Sequence, residues 1–192
     1  MKRLASILII FGMLGGTVTA NALEFGNTDV LNENSQRTSS PEGGGNGGWL
    51  SIHAGTTIPD GDLSDGHDDA ESFTLDVKYK GSANLSQHVL LGYNKFEGKS
   101  GVSDVDWINL SVNAKYYYLR FGKGGLLFVN GGLGIYVPDT GSSKLGQNVG
   151  TGISYNLNPR LRGEVSVNFH AAISTGDSTR FYTPQVGVTY RY

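Results

Sequence analysis

The sequence predicts an all-β fold, an eight-stranded antiparallel up-and-down transmembrane β-barrel, and three observations point to it. Eight segments between residues 49 and 192 alternate apolar and polar residues with a period of two, which is the pattern of strands with two different faces. The apolar faces of these segments carry no charge, and the opposite faces are rich in Gly, Ser and Asn. The connections between the segments are alternately short and longer, as they are in barrels that cross a membrane.

The chain before the barrel is expected to be a targeting segment and a linker. Residues 1–22 combine a basic start, the apolar run Leu4–Leu14 and the small residues Ala20 and Ala22, which is the layout of a cleaved signal peptide. A membrane anchor is disfavoured, because the run is far shorter than the roughly 20 residues of a spanning helix. Residues 23–48 are polar and Gly-rich, and we predict a flexible periplasmic segment. A segment that binds a partner or enters the lumen is the alternative.

The barrel domain is predicted to cover residues 49–192 and to begin with the strand Trp49–Ile58. The other strands are expected at Ser72–Tyr79, Leu85–Phe96, Val105–Tyr118, Leu126–Tyr136, Leu145–Leu157, Leu161–Ala172 and Phe181–Tyr192. Small polar residues fit the cramped interior of an eight-stranded barrel, whereas a water-facing exterior would carry long Lys and Glu side chains. A basic side chain turned toward the middle of a bilayer would cost about 2–4 kcal/mol, so the apolar faces are predicted to contact lipid.

The connections and the tyrosines indicate how the strands cross the membrane. The short connections lie at residues 80–84, 119–125 and 158–160 and are expected on the periplasmic side. The longer connections, the first of which is Pro59–Glu71, are expected outside the cell. A girdle of tyrosines is predicted at the periplasmic interface, formed by Tyr79, Tyr116, Tyr118, Tyr155, Tyr190 and Tyr192.

The final strand carries a second signal in the spacing of Gln185, Gly187, Tyr190 and Tyr192. A polar residue, a glycine, an apolar residue and an aromatic residue at these intervals resemble the terminal assembly signal of bacterial outer-membrane barrels. Soluble strands also alternate, so this resemblance depends on the rest of the chain.

Three further stretches, Gly47–Gly55, Asn109–Tyr118 and Asn130–Gly134, are similar in style to the strands of one group of barrels. Residues 49–192 resemble the eight-stranded outer-membrane barrels of the opacity-protein and outer-membrane-protein-A transmembrane type. The resemblance implies a monomer in the outer membrane of a Gram-negative bacterium. Its implied partners are the β-barrel assembly machinery, outer-membrane lipid and lipopolysaccharide. Motifs as diffuse as these identify a fold rather than an activity.

Composition excludes several other classes of protein. The chain has no Cys, which excludes a disulfide framework and a thiolate metal site. Its formal net charge is −2, so there is no electrostatic case for nucleic acid as a partner. No cofactor is expected, because the Gly-rich residues 43–48 lack the Lys-Ser/Thr ending of a phosphate-binding loop.

Charged residues also occur on the faces that are predicted to point into the lumen. They are Asp76, Lys78, Lys115, Arg162, Glu164 and Arg191. Buried charges need partners, so we expect a salt-bridged plug centred on Glu164. Two interpretations stay open: the residues only satisfy one another, or they form a gated small conductance.

His170 raises the alternative of an enzyme, because outer-membrane lipid A deacylases are also eight-stranded barrels. The motif of those enzymes places a nucleophilic Ser two residues after a His, and Ala172 occupies that position here. Ser174 does not fit the motif, and a His needs a nucleophile within reach to act as its base. A metal site shared with His53 and His88 is a further alternative to ordinary hydrogen bonding.

The loop Pro59–Glu71 is rich in the oxygen ligands that Ca²⁺ takes, but it does not follow the EF-hand spacing. A solvated acidic loop is the simpler interpretation. We therefore expect no metal and a non-enzymatic protein with a structural or surface-interaction (adhesion-like) role through its extracellular loops. The sequence does not identify a ligand for these loops. The alternatives are an outer-membrane lipid-modifying enzyme and a small, low-conductance channel.

Overall fold

The computed structural model of the protein describes residues 48–82, 84–173 and 178–192. The eight long strands are β1 Trp49–Asp60, β2 Ala70–Gly81, β3 Leu85–Gly98, β4 Val105–Phe121, β5 Gly125–Pro138, β6 Lys144–Asn158, β7 Leu161–Ile173 and β8 Ser178–Arg191. Each strand pairs in antiparallel fashion with its neighbours in sequence, and β8 pairs with β1, which closes the sheet. The predicted eight-stranded antiparallel barrel is confirmed. The predicted signal peptide and residues 23–47 lie outside the described residues.

Alternate residues of each strand point to opposite sides of the sheet, and the apolar set points outward. On the exterior, Leu133, Leu145 and Val186 are 71%, 72% and 61% exposed. On the interior, Asn109 and Glu164 are 3% and 4% exposed. A continuous apolar exterior of this kind is stable in contact with lipid rather than water. The prediction that the valine and tyrosine rows face outward is confirmed.

The apolar exterior has the height of a bilayer's hydrocarbon layer. On β4 the outward residues run from Ile108 to Tyr118 without a charge. At about 3.4 Å per residue on a strand tilted by about 40°, this run covers about 25 Å along the barrel axis. That height matches the apolar band of membrane barrels. No helix within the described part of the chain has the length and apolar character that a membrane span requires.

The two ends of the barrel differ in their connections. At the turn end the connections are residues 82–84, 122–124 and 159–160. At the loop end they are residues 61–69, 99–104, 139–143 and 174–177, the last of which lies outside the described residues. Strand β8 begins earlier than the apolar pattern predicts, because backbone pairing continues through polar residues beyond the apolar band. Arg180, for example, pairs with both Asp60 and Ala171.

Tyrosines surround the turn end on the exterior, where the sequence predicts an interfacial girdle. Each of the six is about half exposed or more: Tyr79, Tyr116, Tyr118, Tyr155, Tyr190 and Tyr192. Tyrosine rings at this height combine an apolar body with a polar tip, which suits the boundary between lipid and water.

The first two long connections form one ordered surface, which we call the loop platform (residues 61–69 and 97–104). It contains the one-turn helix Asp62–Gly66 and a two-residue strand that pairs with the end of β3. Lys99 from the second connection donates a 2.6 Å hydrogen bond from Nζ to the carbonyl oxygen of Ser64 in the first. The acidic loop that the sequence indicates is therefore tied to its neighbour rather than isolated.

Candidate functional site

The lumen of the barrel is the candidate site, and three layers of side chains fill it. The arginine layer lies at the turn end, the central ion cluster in the middle and the aromatic cap at the loop end. The arginine layer consists of Trp49, Tyr117, Arg162 and Arg191. The central ion cluster consists of His53, Asp76, His88, Lys115 and Glu164. The aromatic cap consists of Phe96, Trp107, Tyr136, His170 and Phe181.

Lys115 holds the central ion cluster together. Its Nζ donates a 2.8 Å hydrogen bond to Glu164 Oε1 and lies 3.8 Å from Asp76 Oδ2. The three side chains are between 3% and 8% exposed and come from β2, β4 and β7, so these ion pairs cross the lumen. The removal of one member would leave a buried charge without compensation, which makes the three interdependent.

Two histidines complete the central ion cluster. His88 Nδ1 lies 2.7 Å from Asp76 Oδ1, and its Nε2 lies 2.7 Å from Ser86 Oγ. His53 Nε2 lies 3.3 Å from Glu164 Oε1. Each carboxylate therefore has an imidazole on one side and Lys115 on another.

The space that remains beside the central ion cluster is small. A cavity of about 20 Å³ is lined by members of the cluster together with Thr74, Asn113 and Asn168. A volume of this size holds about one water molecule. The lumen at this height is therefore too narrow for a hydrated solute.

Arginine side chains lie over aromatic rings in the arginine layer. The guanidinium carbon of Arg162 lies 4.9 Å from the ring centre of Trp49 and 5.5 Å from that of Tyr117, at cation–π distance. Arg162 also donates hydrogen bonds to Asn156 Oδ1 at 2.9 Å and to the hydroxyl of Tyr117 at 3.1 Å. Arg191 approaches the ring of Trp49 to 5.8 Å.

The six predicted lumen charges thus divide into two groups. Asp76, Lys115 and Glu164 contact one another directly. Arg162 and Arg191 lie one layer closer to the turn end, beside Trp49, and half-buried Lys78 pairs in register with that same tryptophan. The structure brings Asp76 and Glu164 together around Lys115, in the arrangement that the sequence predicts for the plug.

The aromatic cap closes the loop end of the lumen. Phe96, Tyr136 and Phe181 are fully buried. Phe181 meets the edges of Phe96, Trp107 and Tyr136 at ring distances between 5.3 and 6.4 Å. Leu63 of the loop platform packs against this cluster. Because edge-to-face pairs add to the burial of large rings, the cap is a compact apolar seal.

His170 belongs to the aromatic cap. Its ring stacks on Phe181 at 4.7 Å, its Nδ1 lies 2.9 Å from the Tyr136 hydroxyl and its Nε2 lies 3.1 Å from Thr183 Oγ1. Both ring nitrogens are occupied, and buried Ala172 packs in the same cluster. Ser174 lies outside the described residues. Within the described ranges, no group of three or more His and acidic side chains is arranged to hold a metal ion.

The residues of the terminal signal serve different contacts. Gln185 is buried and donates hydrogen bonds from Nε2 to Ser72 Oγ at 2.8 Å and to Thr74 Oγ1 at 2.9 Å. Gly187 leaves room for the ring of His53, which a Cβ at that position would strike. Tyr190 and Tyr192 lie in the exterior girdle.

The aromatic residues in the lumen are absent from the sequence-predicted site. Phe128 and Tyr136 are on the same alternation of β5 as Asn130, which the sequence places inside. Strict alternation along β5 therefore predicts that both side chains point into the lumen, even though they are apolar. Glycines opposite them, Gly152 and Gly146, provide the room, since a Cβ there would lie 2.5 Å from the rings of Phe128 and Tyr136, respectively.

Comparison with known proteins identifies the fold. The sequence matches no family model and no curated protein. The structure is similar to that of Neisserial surface protein A, with a TM-score of 0.59, 17% identity and coverage of 76% of this chain and 97% of that one. It is also similar to the N-terminal barrel of OprF from Pseudomonas aeruginosa (TM-score 0.52, 15% identity, 75% and 97% coverage). OprG from the same organism gives a TM-score of 0.50 at 13% identity, with 76% and 96% coverage. The chain therefore has the fold of the eight-stranded outer-membrane β-barrels that its sequence resembles.

Proposed function

We propose that this protein is a monomeric, non-enzymatic barrel of the bacterial outer membrane with a structural or surface-interaction role. One observation carries the proposal: side chains fill the lumen at three heights, inside an exterior that is apolar. A barrel of this kind offers solutes no path of useful width and offers macromolecules only its two ends.

The loop platform supports contact with a partner at the loop end. Its two connections are joined by the hydrogen bond of Lys99 to Ser64 and by backbone pairing at the end of β3, so the surface is ordered before anything binds. Ordered loops on a rigid barrel are the usual place for recognition. We place this end outside the cell, in keeping with the longer connections there.

The alternative of a channel makes a direct electrical prediction. With the central ion cluster and the aromatic cap in place, purified protein in a planar bilayer is expected to give no large steady conductance. The control is a gel of the protein from the vesicles that were used to form the bilayers. Folded barrels migrate differently before and after heating, so the gel shows whether the protein was folded. Large stable openings from folded, pure protein would contradict the sealed lumen.

The alternative of a lipid-modifying enzyme is disfavoured by the surroundings of His170. Its two ring nitrogens contact Tyr136 and Thr183, and the position two residues on is buried Ala172. Mass spectrometry of lipid A from cells that produce the protein tests this directly. Unchanged acyl chains are expected, and the loss of one would overturn the non-enzymatic assignment.

The structural and surface roles are separated by complementation of a deletion strain. A variant in which residues 61–69 and 99–104 are replaced by short Gly-Ser turns keeps the barrel and lacks the loop platform. We expect this variant to restore detergent resistance and to fail in adhesion to host cells. If it restores both properties, the loop platform is not the interaction surface.

A further inference from the structure

The two ends of the barrel carry opposite charge. The turn end is built from residues 48–52, 78–87, 116–128, 155–163 and 186–192. These segments contain no acidic residue and seven basic ones: Lys78, Lys80, Arg120, Lys123, Arg160, Arg162 and Arg191. The described loop-end segments, residues 59–71, 95–106, 137–145, 172–173 and 178–180, contain ten acidic and four basic residues.

Three of the turn-end bases are exposed at the mouth of the barrel. Arg120, Lys123 and Arg160 are exposed, whereas Arg162 is buried in the lumen. Arg120 follows Tyr118 of the girdle by two residues along β4, and after a register shift at Tyr117/Leu119 it pairs with Leu126, on the lumen side of the sheet at its mouth. The carbonyl oxygen of Arg160 accepts a 2.8 Å hydrogen bond from the backbone of Arg191, beside the girdle tyrosines of β8. The three bases, which we call the basic rim, are therefore at the height where lipid headgroups begin.

Basic residues at the loop end, in contrast, lie close to carboxylates. Lys95 lies 3.3 Å from Asp104, Lys99 lies 3.7 Å from Asp68 and Arg180 lies 3.5 Å from Asp60. Each of these bases is compensated by a carboxylate of the same loop surface. Among the described residues of the turn end, none is an Asp or Glu that could do the same for the basic rim.

We propose that the basic rim, Arg120, Lys123 and Arg160, binds the phosphates of anionic phospholipids in the leaflet that faces the turn end. The proposal rests on the membrane location given under the proposed function. Arginine matches phosphate with two parallel donors, and basic residues beside a membrane surface attract anionic lipid. The rim is spread over two separate connections just beyond the tyrosine girdle, at the height of the lipid headgroups, whereas a soluble acidic partner would need one contiguous patch.

The test uses electron spin resonance of spin-labelled lipids in phosphatidylcholine vesicles that contain the folded protein. The ratio of association of labelled phosphatidylglycerol to labelled phosphatidylcholine is measured for two variants that lose the same three charges. R120Q/K123Q/R160Q removes the basic rim, and K95Q/K99Q/R180Q removes the paired bases of the loop end. We expect the first variant to lower the preference for phosphatidylglycerol by about fivefold or more and the second to leave it unchanged.

The outcomes separate the rim from simpler explanations. Equal losses in the two variants would show attraction by net charge alone and overturn the proposal. An unchanged preference in R120Q/K123Q/R160Q, or no preference in the wild type, would also overturn it. Wild-type protein that stays outside the vesicles would instead overturn the membrane location itself, and flotation of the vesicles on a density gradient reports that result independently.

Discussion

The aromatic cap and the central ion cluster close the same lumen with opposite chemistry. Inward residues of β3, β4 and β7 contribute to both, yet the cap is apolar at the end that faces water and the cluster is charged at the height of the lipid core. The polarity of the lumen therefore does not follow the polarity of what surrounds the barrel. A seal that keeps water from the cluster lowers the local dielectric constant, which strengthens the ion pairs behind it.

The two seals are expected to respond differently to substitution. The central ion cluster depends on complementary charge, so the loss of one partner is far more costly than the loss of both. The aromatic cap depends on filled volume, so each truncation costs what it leaves empty. The following substitutions test this difference.

The largest effect is expected from Glu164→Gln. This change leaves Lys115 buried with only Asp76 at 3.8 Å as its carboxylate partner. The free energy of unfolding is expected to fall by about 3 kcal/mol, the lower end of the cost of breaking a buried ion pair, because Asp76 still compensates Lys115 in part. Urea unfolding in lipid vesicles, followed by tryptophan fluorescence, measures it.

The matched control for that experiment is K115M/E164Q. It removes both charges of the 2.8 Å pair and keeps side chains of similar length. Part of the stability lost in Glu164→Gln is expected to return, because Lys115 no longer carries a charge, while Asp76 keeps its charge and its contact with His88. A double variant as unstable as the single one would show that volume and hydrogen bonds, rather than charge balance, hold the cluster.

The aromatic cap is tested by Phe181→Ala. Phe181 is fully buried against three aromatic rings and His170, so its truncation is expected to cost about 3 kcal/mol. Phe73→Ala is the control, because Phe73 is 50% exposed on the exterior of a neighbouring part of the barrel. Unfolding in vesicles should show a clearly smaller loss for Phe73→Ala. Equal losses would mean that the cap adds nothing beyond contact with lipid.

Glycine substitutions sharpen the contrast between the inside and the outside of the sheet. A Cβ on Gly152 would lie 2.5 Å from the Phe128 ring, whereas a Cβ on Gly131, on the exterior, would lie 3.5 Å from its nearest neighbour. Gly152→Ala is therefore expected to cost about 1–3 kcal/mol through overpacking. Gly131→Ala is expected to be neutral or slightly stabilising, since Ala restricts the unfolded chain. Unfolding in vesicles measures both variants. If Gly152→Ala leaves the free energy of unfolding unchanged, the lumen is loosely packed at this position.

The period of two gave the strands and the direction of each side chain, and so placed Asp76, Lys115 and Glu164 inside. It did not indicate which of them touch, because contacts between β2, β4 and β7 depend on how the closed sheet is staggered. Arg162 illustrates the gap, since its contacts with the rings of Trp49 and Tyr117 could not be read from the period. Phe128 was missed for a different reason. The alternation along β5 does place its side chain inside. An apolar ring, however, is not expected in the lumen of a barrel whose exterior is apolar.

The smallest effect is expected from Asp104, an exposed counterpart of the central ion cluster. The pKa of its carboxyl group is lowered, first because the backbone N–H of Gly98 donates a 2.9 Å hydrogen bond to it and second because Lys95 lies 3.3 Å away. A lowered pKa stabilises the folded loop above the ordinary carboxyl value, and this contribution is lost as the pH falls through the lowered pKa. The amide proton resonance of Gly98 should therefore titrate with a midpoint below 3.8.

Asp104→Asn supplies the control, since it removes the titration and leaves a side-chain oxygen for the Gly98 amide. The side chain of Asp104 is 55% exposed, so solvent screens its charge, and the urea midpoint of the barrel is expected to stay within error of the wild type. A contact between a carboxylate and a lysine is then expected to contribute strongly to stability in the lumen and very little on the loops. A large loss of stability in Asp104→Asn would contradict that distinction, because burial would no longer separate the two ion pairs.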